Sequence, residues 1–304
     1  MRDRRGMTLM EVTLALLLFG MLATFILGVI DSVLGLWQSG ERRGRGDLVF
    51  AAASERLRSD LGALHTGPDG WLVVDTWEAL PEAEGRPAWR LPRLRFLADG
   101  GGLPADDPSG RAAVEIAWVF VPENVAGSRL TRLVRWARVD GGRGEGFEID
   151  RYMADVQAQG DGLVLLDGVA YGGFVALDMD GVGDEDPTLD LPAGIPVGFP
   201  PRLRLEVERV AGSSRLRPPT LDDRLATAGG LQMTLRGTAP LRQPTHVLVD
   251  EEWIGISGTF PRLVAARRGE RGTLPTGHER GAEVLLPETY SSEHALSGGG
   301  RRRR

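Results

Sequence analysis

The sequence predicts an α+β protein: one long N-terminal α-helix packed on an antiparallel β-sheet head, with an extra C-terminal β-rich patch. Residues 12–30 are uncharged and mostly apolar, which predicts a helix. From residue 67 onwards, short runs with apolar residues at every second position are divided by Gly, Pro and Asp, as in strands joined by turns. The strand pattern resumes after residue 230, beyond an interval rich in Gly, Ser, Pro and Arg. One helix followed by many strands is typical of the α+β class.

Composition excludes several classes of function. The 304-residue chain contains no cysteine, which excludes disulfides, zinc–thiolate sites and cysteine catalysis. Its net charge of −6 gives no indication of nucleic-acid binding. It is long enough for one large domain or two modest ones.

The N-terminal segment predicts a single membrane span with an unusual charge beside it. A basic leader ends at Gly6, and Glu11 stands at the edge of the 19-residue uncharged run Val12–Ile30. A helix needs about 20 apolar residues to cross a bilayer. A carboxylate at the bilayer centre costs at least about 2.5–3.5 kcal/mol, so Glu11 requires a partner. The basic leader places the N-terminus inside and the rest of the chain outside.

An ordinary signal peptide or signal anchor is the alternative for this segment. A secretory signal has a shorter apolar core, followed by a small-residue cleavage site. Here the plausible cleavage site precedes the apolar run.

The helix is predicted over residues 7–64, with its transmembrane part at about residues 8–30. Its second half is amphipathic, because apolar residues recur at three- and four-residue spacings and charged residues occupy the other faces. The apolar positions are Phe50, Ala53, Leu57, Leu61 and Leu64, and the charged positions are Glu55, Arg56, Arg58 and Asp60. Glycines between residues 40 and 46 predict a bend or a melted turn, since each weakens a helix by about 1 kcal/mol relative to alanine.

Residues 65–210 are predicted to form the β-rich head. The predicted strands are Trp71–Thr76, Leu94–Leu97, Val114–Val121, Leu130–Val139, Phe147–Tyr152, Gly162–Asp167, Gly173–Met179 and Arg202–Val210. The third and fourth of these form a hairpin.

A linker is predicted over residues 211–230, a small β-rich module over 231–290 and a disordered arginine-rich tail over 291–304. The strands predicted in the module are Leu231–Leu235, Thr245–Val249, Trp253–Ile256 and Leu263–Ala266. The run Arg267–Thr273, followed by His278 and Gly281–Val284, is similar to small β modules of phage-tail-type proteins.

An acidic loop is the candidate metal site. Asp178, Asp180, Asp184 and Asp186 alternate around glycines, and calcium prefers six to eight oxygen ligands in such a loop. The loop lacks the full EF-hand pattern, so a solvated acidic turn between strands is the alternative interpretation. Calcium is the one cofactor that the sequence suggests.

The chain is predicted not to be an enzyme. No two of its four histidines have metal-ligand spacing, and no nucleophile-elbow motif is present. His278 belongs to the glycine-rich module and is predicted to be structural.

The stretch Arg4-Arg5-Gly6-Met7-Thr8-Leu9-Met10-Glu11 and the apolar run after it resemble the class III signal of type IV prepilins and type II secretion pseudopilins. The resemblance implies cleavage after Gly6 by the prepilin peptidase and N-methylation of Met7, where the family more often has phenylalanine. It also implies that Glu11 pairs with the N-terminus of an adjacent subunit and sets the axial register.

The order of head segments resembles the J-type minor pseudopilins. The segments that carry this likeness are Arg93–Leu97, Ala113–Val121, Leu130–Trp136 and Pro200–Leu205. The resemblance implies a structural protein near the pseudopilus tip, held in the inner membrane by a single pass with its head in the periplasm. The implied partners are other minor and major pseudopilins, the prepilin peptidase, the inner-membrane assembly platform and a secreted substrate; nucleic acid is not among them.

Two alternatives stay open. One is a minor pilin of a type IV pilus or DNA-uptake system. The other is a membrane-anchored β-rich binding module, whose C-terminal patch holds a glycan, a surface or a partner.

Overall fold

The computed structural model describes residues 9–67, 70–80, 88–99, 113–123, 130–139, 162–180, 182–183, 189–191, 199–210, 219–226, 232–237, 244–271 and 273–296. The chain divides into two compact units, residues 1–47 and residues 48–304.

The first unit contains most of helix α1, which runs over Leu9–Gly62. Its segment Val12–Leu34 has 23 residues and is the one helix in the described part of the chain that is long and apolar enough to cross a membrane. At about 1.5 Å per residue, it spans about 35 Å. The backbone is helical through residues 40–46, so the predicted melted turn is wrong. Glycine weakens a helix but keeps its backbone N–H, and the hydrogen-bonded turns can therefore continue through it.

The second unit contains the end of α1 and an eight-stranded antiparallel sheet, called the head sheet here. Its strands are β1 (Leu72–Leu80), β2 (Trp89–Asp99), β3 (Ala113–Pro122), β4 (Thr131–Val139), β5 (Leu163–Leu177), β6 (Leu189–Leu191), β7 (Arg202–Arg209) and β14 (Glu288–Ala295). The spatial order is β14-β7-β5-β4-β3-β2-β1-β6. The predicted apolar stripe Phe50, Ala53, Leu57, Leu61 and Leu64 is buried and shares one core with these strands. The α+β class is thereby confirmed.

Most of the predicted head strands are present, and β3 and β4 form the predicted hairpin. The two strands predicted at Gly162–Asp167 and Gly173–Met179 are one strand, β5. Glycines within β5 do not end it. A Cβ atom at Gly172 would lie 2.2 Å from the ring of Phe120, so glycine there admits the aromatic ring of a neighbouring element. The strand predicted at Phe147–Tyr152 lies outside the described residues.

The second sheet contains six strands: β8 (Thr220–Leu221), β9 (Gln232–Arg236), β10 (His246–Val249), β11 (Glu252–Thr259), β12 (Arg262–Glu270) and β13 (Val284–Leu285). Their order is β13-β10-β11-β12-β9-β8. The two ends of this sheet meet, because Thr220 pairs with Glu283 and the Val284 amide donates to the Pro219 carbonyl at 2.8 Å. We call residues 219–286 the barrel. Eleven buried residues fill it: Leu221, Leu225, Met233, Leu235, Val247, Val249, Ile254, Leu263, Ala265, Val284 and Leu286.

The predicted linker and tail both require correction. Thr220–Leu221 and the buried Leu225 belong to the barrel, although the linker was predicted to extend to residue 230. The prediction of disorder from Ser291 onwards is wrong for Ser291–Ala295, which lie in β14 and pair with β7. β14 covers the edge of β7 that would otherwise present unpaired backbone groups.

The barrel is therefore an insertion in the head sheet. The chain leaves the sheet at Arg209, builds the barrel and returns at Glu288, which pairs with Arg209. Both sheets belong to the same compact unit.

Candidate functional site

The N-terminal segment holds the residues predicted to direct processing and assembly. Gly6 and Met7 lie outside the described residues. Glu11 is in the first turns of α1, immediately before the membrane-length segment Val12–Leu34, and its side chain is likewise outside the described part. The roles of Gly6, Met7 and Glu11 in processing and assembly therefore stay predictions.

The helical segment after Glu11 exposes an apolar surface. Phe19 and Phe25 are 70% and 69% exposed, and Met21 and Leu22 between them are also exposed. The hydroxyls of Thr13 and Thr24 donate to the helix carbonyls of Met10 and Gly20 at 3.0 and 2.8 Å. Polar groups satisfied within the helix suit a surface that faces lipid or other apolar helices.

The described part of the acidic loop is a tight turn. One oxygen of Asp178 accepts hydrogen bonds from the amides of Asp180 and Val182, at 3.0 and 2.8 Å. Asp184 and Asp186 lie outside the described residues. Within the residues that the structure describes, no group of three or more His, Asp or Glu side chains is placed to hold a metal ion. Calcium binding by the four aspartates stays a prediction.

A buried ion pair joins α1 to the head sheet. The Asp60 carboxylate accepts two hydrogen bonds from Arg135 of β4, at 2.6 and 2.9 Å, and one from the Trp118 indole at 2.9 Å. Arg56 lies 3.3 Å from the same carboxylate. The sequence pattern predicts Asp60 on the charged faces of α1, yet it is only 2% exposed. Arg135 is the signal that could have found it, since it interrupts the apolar face of β4 and needs an anionic partner.

The barrel contains a second buried charge network, centred on Glu252. Its carboxylate accepts two hydrogen bonds from Arg268, at 2.6 and 2.8 Å, and one from the Thr276 amide at 2.9 Å. The Gly269 amide adds another at 3.0 Å. Burial acts to raise the pKa of Glu252, but hydrogen bonds from Arg268, His278 and Thr276 outweigh it and lower the pKa to about 2. Glu252 is therefore ionised over the whole physiological range.

His278 completes this network. It is 1% exposed, with Nδ1 2.7 Å from Asp250 and Nε2 2.8 Å from Glu252. Burial acts to lower the pKa of His278, but the two carboxylates outweigh it and raise the pKa above its ordinary value. The Thr276 hydroxyl lies 3.5 Å from Nε2, which superficially resembles a nucleophile–base–acid arrangement. Because Glu252 already holds Nε2 in a buried position, the arrangement is that of a structural ion network.

Contacts with this network and with neighbouring strands fix the glycine-rich run Arg267–Thr273 and the residues that follow it up to His278. Arg268 reaches Glu252, and Gly269 has a φ of 65°, a conformation that favours glycine. The Thr273 hydroxyl accepts a hydrogen bond from the Trp253 amide at 3.0 Å. The backbone of His278 pairs with Leu225 through two hydrogen bonds of 2.8 Å. These contacts attach the run to β11 and to the segment that follows β8.

The contact between the barrel and the head sheet was not predicted. Its apolar part is a small cluster formed by Leu130, Ala170, Val210, Leu248 and Trp253. Arg271, at the end of β12, crosses this contact and binds both oxygens of Glu208 on β7, at 2.6 and 2.8 Å. No local sequence pattern shows that two residues 63 positions apart will pair.

No protein-family model matches the chain, and neither a curated protein nor a solved structure matches it.

Proposed function

We propose that the chain is a structural minor pseudopilin of a type II secretion system, similar to the J-type branch. The observation that carries this proposal is the position of Glu11, the carboxylate directly before a membrane-length helical segment that has no charged residue from Val12 to Ile30 and whose described side chains are largely exposed. A buried or membrane-embedded carboxylate needs a cationic partner. The N-terminus of a neighbouring subunit, exposed by cleavage after Gly6, has the required charge.

Each part of the chain has a role in this proposal. The prepilin peptidase removes the leader, and Met7 becomes the methylated N-terminus. The apolar segment holds the subunit in the inner membrane until it is transferred, through the assembly platform, to a bundle of pseudopilin helices. The head lies in the periplasm, where it contacts the heads of partner pseudopilins or a secreted substrate. No catalytic residue is needed.

N-terminal processing tests the membership in this class. Intact mass and N-terminal sequencing of the protein from membranes of its native host should show a chain that begins at methylated Met7. The matched variant Gly6→Ile should retain the leader, because the resemblance assigns the cleavage to the glycine. A chain that begins at Met1, or one cut after the apolar run, would contradict the proposal.

Glu11 tests the assembly role. Glu11→Ala should leave the head folded but reduce incorporation into the pseudopilus, measured by cross-linking to partner pseudopilins. Thr13→Ala is the matched control, since the Thr13 hydroxyl bonds within its own helix. Normal incorporation of Glu11→Ala would refute the pairing of Glu11 with a neighbour.

The barrel favours a second candidate, a membrane-anchored binding module. It has its own buried core and interrupts a strand pair that would otherwise close by a short turn. Removal of everything after residue 230 would also remove β14, so the informative deletion is 211–287, with Val210 joined to Glu288 through Asn-Gly. If secretion survives this excision and adhesion to a surface is lost, the barrel carries the function. Loss of secretion favours the pseudopilin role for the whole head.

A minor pilin of a type IV pilus or DNA-uptake system shares the same N-terminal chemistry. Genes for a secretion ATPase and a secretin beside this gene would favour the secretion system.

A further inference from the structure

Arg271 is the central residue of the contact between the barrel and the head sheet. Its guanidinium binds both oxygens of Glu208, at 2.6 and 2.8 Å. It also lies against two aromatic rings, 4.0 Å from the centre of the Tyr171 ring and 4.4 Å from that of Trp253. Tyr171 and Glu208 belong to the head sheet, whereas Trp253 and Arg271 belong to the barrel. Arg271 therefore connects the two sheets by a bidentate ion pair and by stacking.

His246 adds a titratable group to this contact. Its Nδ1 lies 3.1 Å from a guanidinium nitrogen of Arg271. Arginine can only donate, so Nδ1 must be the acceptor and carry no proton. The Thr245 hydroxyl, 2.9 Å from the same nitrogen, can turn to donate or accept. The single proton of the neutral ring is then on Nε2, which lies 2.7 Å from Glu270.

We propose that His246 makes this contact sensitive to pH. A second proton on its ring breaks the contacts of Arg271 with Glu208 and Tyr171, which we call the Arg271 latch, and the folded barrel then moves relative to the head sheet. The inference is independent of the pseudopilin proposal, because it depends only on groups within residues 48–304.

The reason is a conflict of donors and charges. A proton on Nδ1 would point at the N–H groups of Arg271 and place two positive charges about 3 Å apart. Glu208 lies 3.8 Å from Nδ1, so the charged ring also competes with Arg271 for the carboxylate that holds the latch closed. The other charged group near the ring, Glu270, is already paired with Arg267 at 2.7 Å.

The titration of His246 has the sign that the latch requires. Burial, followed by the charge of Arg271, lowers the pKa of His246 below its ordinary value, against the opposing effects of Glu208 and Glu270. A base whose pKa is lowered in the folded state stabilises that state fully above its unfolded pKa, about 6.5. The stabilisation is lost as the pH falls through the lowered value. The closed contact therefore prevails at neutral pH and weakens in acid.

The distance between two spin labels on the full-length protein in detergent tests the latch. The chain contains no cysteine, so two labelled cysteines are unique. Thr66→Cys places one label on an exposed position of the head, and Ser257→Cys places the other on an exposed strand position of the barrel. Pulsed electron paramagnetic resonance should give one narrow distribution of label–label distances at about pH 7.5 and a broader one at about pH 5.

Matched variants identify the group that responds. His246→Gln should keep the distribution narrow at both pH values, because the amide gains no proton. Arg271→Gln should broaden it at both. A distribution that stays narrow in acid without these substitutions would overturn the proposal, and so would acid broadening that persists in His246→Gln.

Two controls exclude other causes. Burial also lowers the pKa of His294 on β14, which faces Arg58 and Glu55 of α1, so acid broadening that disappears in His294→Gln would assign the effect to β14 and refute the latch. A second label pair within the barrel, Ser257→Cys with Arg224→Cys, should keep a constant distance. If the distance distribution of this pair also broadens in acid, the barrel unfolds instead of moving as a folded unit, and the proposal fails.

Discussion

Removal of the Asp60 carboxylate should destabilise the head more than any other change at a charged residue of α1. Asp60→Ala removes the carboxylate that accepts two hydrogen bonds from Arg135, whose side chain is only 7% exposed. Loss of one partner of a buried ion pair costs about 3–5 kcal/mol. For a domain of this size, each kcal/mol lowers the melting temperature by about 2–4 °C, so the expected decrease is about 6–20 °C.

The double variant Asp60→Leu/Arg135→Met separates the cost of the unpaired charge from other effects. It removes both charges of the Asp60–Arg135 pair. The remaining penalties are the Trp118 indole N–H, which loses its acceptor at about 1–3 kcal/mol, and the lost contact of the partly exposed Arg56 with Asp60. The double variant should thus be more stable than Asp60→Ala. Thermal unfolding of the detergent-solubilised chain, followed by near-ultraviolet circular dichroism, measures both. Glu55→Ala is the control, because Glu55 pairs with Arg58 on the exposed surface.

Two results would refute this reasoning. Unfolding of Asp60→Ala within 2 °C of the unchanged protein would mean that Arg135 is satisfied by another partner or by water. Alternatively, the double variant could be the less stable one, and the ion pair would then contribute net stability that apolar residues cannot replace.

Two further predictions concern packing and pH. Gly172→Ala should cost about 1–3 kcal/mol, because its Cβ would lie 2.2 Å from the Phe120 ring. Gly173→Ala, whose Cβ would meet nothing within 4 Å, is the matched control, and equal melting temperatures for the two variants would contradict the packing argument. Glu252, with a pKa lowered from 4.5 to about 2, should contribute about 3 kcal/mol at neutral pH. Since the folded pKa is the lower one, this contribution is present above about pH 4.5 and is lost as the pH falls towards 2. Denaturant titrations between these pH values should therefore show a smaller loss of stability in Glu252→Gln than in the unchanged protein, and parallel losses would argue against the network.

Local periodicity predicted the helix and most strands because it reports which face of an element is buried. Leu57 and Leu61 recur at helical spacing and are buried on the head sheet, as expected. Asp60 shows the limit of this approach. Its charge suggested an exposed face. The interruption of the apolar face of β4 by Arg135 indicates that this arginine needs an anion, but helix periodicity does not show that the anion is Asp60, 75 positions away.

β14 was missed for a related reason. Its residues Glu288–Ala295 are largely polar, and only its pairing with β7 makes them a strand. The candidate functional residues likewise fall into those suggested by local sequence and those defined by contacts between distant residues. Glu11 is a candidate because it stands at the edge of an uncharged apolar run, and its role stays a prediction. Glu252 and Arg271 acquire their roles from partners brought together by the closure of the barrel and its docking.

The insertion of the barrel also constrains the order in which the head can fold. Arg209 and Glu288 pair directly, although they are 79 positions apart (288 − 209). Until β14 has been synthesised, β7 has an open edge that could pair with another chain. Prior folding of the barrel would replace a long flexible loop by a compact body whose ends lie close together, and would thus reduce the entropy cost of closing the β7–β14 pair. A destabilising substitution in the barrel core would then delay completion of the head sheet. Such a substitution, although far in sequence from the membrane helix, could leave the subunit prone to aggregation before it is assembled.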